Sequence, residues 1–146
     1  MALDQSTIEA RVDAGFKRAN FIADLGIRPT ACGSGWVEAE LPILPRHFQQ
    51  GGFVHAGVQS TLADHTAAAA TLLDDGYSLL TVEFKVNLLR PAQCETLLCR
   101  AEILKPGKQI CVAEAEVFAL QNGEKRLFSK TTVTLAVLPL AATLPR

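Results

Sequence analysis

The residues able to do chemistry cluster between His47 and Ala70, where a glycine-punctuated loop carrying His55 runs into a segment whose one acid, Asp64, stands among small apolar residues. Gly51 and Gly52 let the backbone turn sharply and approach a ligand closely. Few residues from His55 through Leu73 would stop a helix, so the loop is expected to feed a helix N-terminus. Such an end presents unpaired backbone N–H groups, here around Ala56 and Gly57, which favour anionic or polarised oxygen. Asp64, two helical turns further on, is then an ionisable group in a helix that otherwise reads as buried, the setting in which a carboxylate takes a catalytic role.

Positioning these groups takes a core. At 146 residues and 49% hydrophobic, the chain has enough apolar side chain for one core and no room for two ordinary domains, so residues 1–146 are read as a single domain. A formal net charge of -1 asks for neither nucleic acid nor an anionic membrane surface. The N-terminal residues lack a basic region followed by an apolar stretch, and the apolar C-terminal run is short and broken by Pro139 and Pro145. A cytoplasmic protein is expected. Cys32, Cys94, Cys99 and Cys111 have no metal-ligand spacing and are read as buried thiols; neither metal nor resident cofactor is called for.

Around the cluster the periodicity changes several times. Ile8, Val12, Phe16, Ala19 and Ile22 recur at three- and four-residue spacing and predict a helix from Thr7 to Asp24. Strands are expected over Ile27 to Ala31 and Trp36 to Ile43, joined at Gly33-Ser34-Gly35, with Glu38 and Glu40 alternating against Val37, Ala39 and Leu41. A long helix from about His55 to Asp74 follows, ended by Asp74-Asp75-Gly76 and given a surface of close approach by Ala67 to Ala70. Beyond it the chain reads as strands over Leu79 to Leu89, Glu95 to Leu104, Gln109 to Leu120 and Lys125 to Leu138. Arg90-Pro91, Lys105 to Lys108 and Gln121-Asn122-Gly123-Glu124 separate them, and together they predict an antiparallel meander. Val82, Phe84, Val86 and Leu88 are assigned one face of the first strand and Thr81, Glu83, Lys85 and Asn87 the other. The tail after Pro139 is expected to be ordered only in part. The sum is an α+β plan in which a sheet wraps a long helix, the outline of the hotdog fold.

With Gly52-Phe53-Val54-His55-Ala56-Gly57 followed by Leu62-Ala63-Asp64, and then Thr81 through Pro91, the chain resembles the PaaI-like (phenylacetate-degradation type) acyl-CoA thioesterases of the hotdog superfamily. The family usually has Gly where Ala56 stands and commonly Asn where Gln49 stands. The resemblance implies hydrolysis of an acyl-CoA thioester, with Asp64 as general base on water or as nucleophile, Gln49 assisting at the carbonyl, and Thr81 orienting the water or Asp64. The chemistry agrees in kind: a carboxylate supplies a hydroxide equivalent, helix-terminal N–H groups hold the charge of the tetrahedral intermediate, and the thiolate leaves readily. Coenzyme A enters as part of the substrate. Arg90, Lys105, Lys108, Arg126 and Lys130 are candidates for its phosphates, and Phe21, Leu25, Phe48, Phe53 and Leu73 for either an acyl pocket or the core.

His55 has two readings, a cap for the helix or a proton-transfer group; His47 and His65 are read as local structure. His55 and Asp64 face opposite ways if both lie on one regular helix, at ~100° per residue. A site shared between two chains resolves this and matches the dimers that the resemblance implies. A homodimer, or a homotetramer built of two dimers, is therefore expected, with Gln49, His55 and the helix N-terminus of one chain facing Asp64 and Thr81 of the other. Enoyl-thioester hydration is disfavoured because Ala69 stands where its Asp-x-x-x-x-His dyad needs histidine. The other alternative is a non-catalytic acyl-CoA-binding or sensing protein of the same fold.

Overall fold

In the computed structural model, which describes residues 2–71 and 75–143, the chain is ordered from its first turn by a side-chain cap. Asp4 accepts a hydrogen bond from the Thr7 N–H at 2.8 Å and starts α1 (Gln5–Arg18), which buries Ile8, Val12 and Phe16. The single helix expected over Thr7 to Asp24 is two. Ala19 leaves the helical region at ψ 95, and α2 (Asn20–Leu25) resumes at a new angle that still buries Ile22. Periodicity alone could not register this break, because the apolar spacing continues across it.

The strands are β1 (Arg28–Gly33), β2 (Trp36–Pro42), β3 (Tyr77–Leu88), β4 (Thr96–Lys105), β5 (Ile110–Gln121) and β6 (Glu124–Pro139). They form one antiparallel sheet in the order β1-β2-β4-β5-β6-β3. The expected meander is therefore correct from β4 to β6 and wrong at β3, which pairs with β6 at the far edge rather than with β4. Its cause is the path of the connection. The Leu89 N–H bonds Phe128 O, Val54 bonds Ala92 O, and Ile43 bonds Glu95 O, so residues 89–95 cross from one side of the sheet to the other past the loop ahead of the long helix. Arg90-Pro91 is a crossover and not a hairpin turn.

That helix, α3 (Ala56–Ala70), lies on the concave face of the sheet. Leu62 is fully buried, and Ala63, Ala67 and Ala70 on α3 with Ala101 on β4 and Ala113 and Ala115 on β5 supply small buried residues on both sides that let helix and sheet approach closely. Truncating Leu62, fully buried, is expected to cost about 2–5 kcal/mol. The helix is shorter than anticipated: His55 is its N-cap, and Thr71 ends it by bonding Ala68 O at 3.1 Å. Leu73 and Asp74, assigned above to a pocket and to the helix end, lie outside the described residues, as does Pro145. After Pro139 one helical turn, α4 (Leu140–Thr143), is formed. Among the described residues no helix is long and apolar enough to cross a membrane.

A bulge in β3 corrects the predicted faces. Thr81 pairs with Leu135 and Glu83 with Thr134, leaving Val82 as the extra residue, so side-chain parity reverses there. Thr81 thereby shares the inner face with Phe84, Val86 and Leu88, which pair with Val133, Thr131 and Ser129. Val82, expected beside them, is 61% exposed.

Candidate active site

The loop ahead of α3 is built on histidine. His47 is fully buried; its Nδ1 accepts from the Leu44 N–H at 2.9 Å, which leaves Nε2 to donate to Leu25 O at 3.0 Å. Its own carbonyl accepts from His55 N at 2.9 Å, tying the loop to the start of the helix. Between them Gln49 N bonds Phe53 O at 2.8 Å and Gly52 takes φ +82, a backbone conformation open to glycine at little cost. The Gly51 N–H donates to Gln49 Oε1, which fixes that side chain and leaves its N–H₂ for another partner.

His55 is a cap. Its Nδ1 accepts the Gly57 N–H at 2.8 Å, and a Cβ on Gly57 would stand only 3.0 Å from that nitrogen, so any larger residue there crowds the ring that closes over the helix end. One expectation changes as a result. The Gly57 N–H is engaged by the histidine rather than free for a carbonyl, whereas the Ala56 N–H has no partner among the described residues. With Nδ1 accepting, the proton of a neutral ring sits on Nε2, on an exposed side chain.

Gln49, Phe53, His55 and Ala56 line a cleft of about 560 Å³, closed on its other side by Leu88 to Ala92 of the crossover. Of the five basic candidates, Arg90 lines this cleft, its guanidinium anchored on Leu127 O at 2.9 Å. Lys130 sits with Glu116 on the outer face of the sheet, and Arg126 donates to Gln121. Phe53 lines the cleft, whereas Phe21 is not among its lining residues and is 64% exposed. Gln59, which went unnoticed in the sequence, also lines it and is buried. The signal was present: it falls in phase with Leu62, Ala63, Thr66 and Ala70, a polar residue on the apolar stripe.

Among the described residues no acid lines the cleft. Asp64 is elsewhere, half-buried on the flank of α3 beside β3, where Thr81 Oγ1 donates to its Oδ1 at 2.8 Å. Burial raises the Asp64 carboxyl above its ordinary range, and the Thr81 bond partly offsets this by favouring the charged form. Asp64 follows Ala56 by eight residues, about 12 Å along the axis at 1.5 Å per residue. A single carbonyl cannot touch both. The next residue, His65, is structural: it meets Phe16 edge to face at 4.6 Å, and burial lowers its imidazole below the usual range.

This arrangement of loop, helix and wrapped sheet has many counterparts. The thioesterase superfamily pattern matches residues 51–125, which span the second half of the cleft loop, α3, β3, β4 and β5. Over 90% of this chain and 98% of its own, a thioesterase family protein from Silicibacter pomeroyi is 39% identical and superposes with a TM-score of 0.86. A thioesterase from Haemophilus influenzae is 30% identical over 84% of this chain and 85% of its own, with a TM-score of 0.76. The PaaI protein of the E. coli phenylacetic acid degradation operon shares the fold at 19% identity, covering 91% of this chain and 94% of its own at a TM-score of 0.80. A chain that matches the superfamily pattern across half its length, and whole structures of its members at this identity, belongs to the thioesterase superfamily and carries its hotdog fold.

Proposed function

We propose that this protein hydrolyses acyl-CoA thioesters at sites made by two copies of the chain, the cleft of one facing Asp64 and Thr81 of the other. The observation that carries this reading is the separation just described. A cleft with carbonyl-binding groups and no acid, and an acid about 12 Å away along the same helix, are complementary halves.

The edge of the sheet supplies a reason for two copies to meet. At the β1 edge α1 packs alongside, with Gln5 Nε2 donating to Cys32 O at 2.8 Å. On the free side of β3 no strand pairs among the described residues, and Tyr77, Leu80, Val82, Phe84 and Leu88 are 43–61% exposed along it. A long, apolar, unpaired edge is a surface that proteins cover. A second copy placed there by a two-fold axis brings each Asp64 toward the partner's cleft.

In this reading the thioester carbonyl is held by the Ala56 N–H and the Gln49 carboxamide at the positive end of α3. Asp64 takes a proton from water as the water oxygen bonds to the carbonyl carbon, and the charge moves to the carbonyl oxygen. Collapse breaks the C–S bond, and the coenzyme A thiolate leaves with the proton returned by Asp64. Thr81 holds the carboxylate by one oxygen, leaving the other for water. Arg90 stands where it can meet a phosphate of the leaving group.

Thiol release from short, branched, aryl and long acyl-CoA tests the reading. Turnover by the wild type that falls by two to four orders of magnitude in Asp64→Asn, with acyl-CoA affinity kept, is the expected result. Loss of less than tenfold contradicts the assignment of Asp64.

A further inference from the structure

We propose that Gln59 recognises a hydroxyl group on the acyl portion of the substrate, within a few carbons of the thioester carbonyl, and thereby sets acyl specificity. The inference rests on the thioesterase reading and deepens it. Gln59 lines the cleft, is 2% exposed, and its Oε1 has no hydrogen-bond partner among the described residues. Buried polar atoms are nearly always paired, and each exception calls for a reason.

Two more exceptions occupy the same end of the helix. Ser129 and Thr131 of β6 are fully buried, and their hydroxyl oxygens are likewise unpartnered. Ser129 pairs with Leu88, itself a lining residue of the cleft, and Thr131 with Val86. Further along this layer, β6 continues with Val133 and Leu135, and Thr66 on α3 satisfies its hydroxyl on Leu62 O at 2.6 Å. Of the four buried polar atoms without a partner among the described residues, three therefore sit in the helix–sheet layer next to the cleft, where leucine or valine would pack without penalty; the fourth, His65 Nε2, belongs to the ring packed on Phe16.

A carboxamide and two hydroxyls offer donors and acceptors together, the complement of an alcohol. Gln59 follows Ala56 by three residues, so their Cβ atoms are neighbours at about 5–6 Å. With the carbonyl oxygen on the Ala56 N–H, a hydroxyl on the second to fourth carbon beyond the carbonyl reaches the carboxamide. A saturated chain leaves the group unpaired, and a site built around a hydroxyl rejects the analogue without it.

Matched pairs that differ by one hydroxyl, butyryl- against 3-hydroxybutyryl-CoA and hexanoyl- against 3-hydroxyhexanoyl-CoA, test this. The wild type is expected to favour the hydroxylated member by about tenfold or more in kcat/KM. Gln59→Met, close in volume, should bring that ratio near one, and Ser129→Ala with Thr131→Val should lower it without touching the helix. A role in packing alone changes both members together and leaves the ratio where it was. No preference in the wild type, or a preference that survives both sets of substitutions, overturns the proposal while thioester hydrolysis stands. Equilibrium binding of the same pairs to Asp64→Asn separates the two ideas from the other side. A preference there upholds Gln59 even without turnover, equal affinities overturn it, and binding of neither thioester overturns it together with the thioesterase reading.

Discussion

Thr81 Oγ1 and Asp64 Oδ1 meet at 2.8 Å because an extra residue, Val82, is inserted in β3 just after the threonine. Without that insertion Thr81 would lie on the opposite face from Phe84, Val86 and Leu88, as strict alternation places it. The bond therefore ties the acid on the helix to the strand that forms the free edge of the sheet, the two elements that a partner chain would meet.

Opposing influences on Asp64 make its environment measurable. Burial raises its carboxyl and the Thr81 hydroxyl lowers it, so Thr81→Val should push it further up and move the acid limb of the kcat/KM profile to higher pH. Activity lost at mildly acidic pH should return as pH rises, and Thr81→Ser should keep the wild-type profile. A limb that does not move in Thr81→Val means that Thr81 does not act on the reacting carboxylate.

The same burial has a cost to folding. With its folded-state value raised, Asp64 binds a proton in the native protein at pH values where the unfolded chain has released it. Stability then falls as pH rises from the ordinary aspartate range through the raised one, and remains at the lower level above it. Asp64→Asn should have a higher Tm than the wild type at neutral pH, with the gap closing as the solution is brought below the ordinary carboxylate range. Equal Tm values across that span would show that Asp64 is not held away from water.

His55 as a cap and His55 as a proton carrier respond differently to substitution. His55→Asn retains a side-chain acceptor for the Gly57 N–H and should keep stability within a few tenths of a kcal/mol and kcat within about tenfold; His55→Leu should lose about 1 kcal/mol. A kcat reduced by two orders of magnitude or more in a stable His55→Asn protein would instead assign proton transfer to the ring.

Much of this was readable from residue order, for reasons that differ by element. The start of α3 follows from glycines, a capping side chain and a long run without breakers, and the β5–β6 hairpin from Asn122-Gly123, both of which adopt positive φ. The inner faces of β2 and β5 follow from strict alternation. What escaped was non-local. Nothing within β3 says that it pairs with β6 rather than β4; that depends on the route of residues 89–95 past Val54. A bulge adds one residue without changing composition, so Val82 left no trace in the pattern. At the site, the engagement of the Gly57 N–H by His55 depends on a side-chain rotamer, which spacing does not encode, whereas the wide separation of Asp64 from Ala56 was implicit in helical geometry from the outset.

Whether each site takes its acid from the partner chain is decided most directly by complementation. One chain carries Asp64→Asn, the other Gln49→Ala with Gly57→Val, and the two are unfolded, mixed, refolded and separated by distinct tags, with heterodimers verified by mass. Each parent should be nearly inactive, while the heterodimer, in which one site has neither lesion, should recover about half of the wild-type activity per dimer. Verified heterodimers as inactive as both parents would contradict the shared site and place the whole catalytic set within one chain.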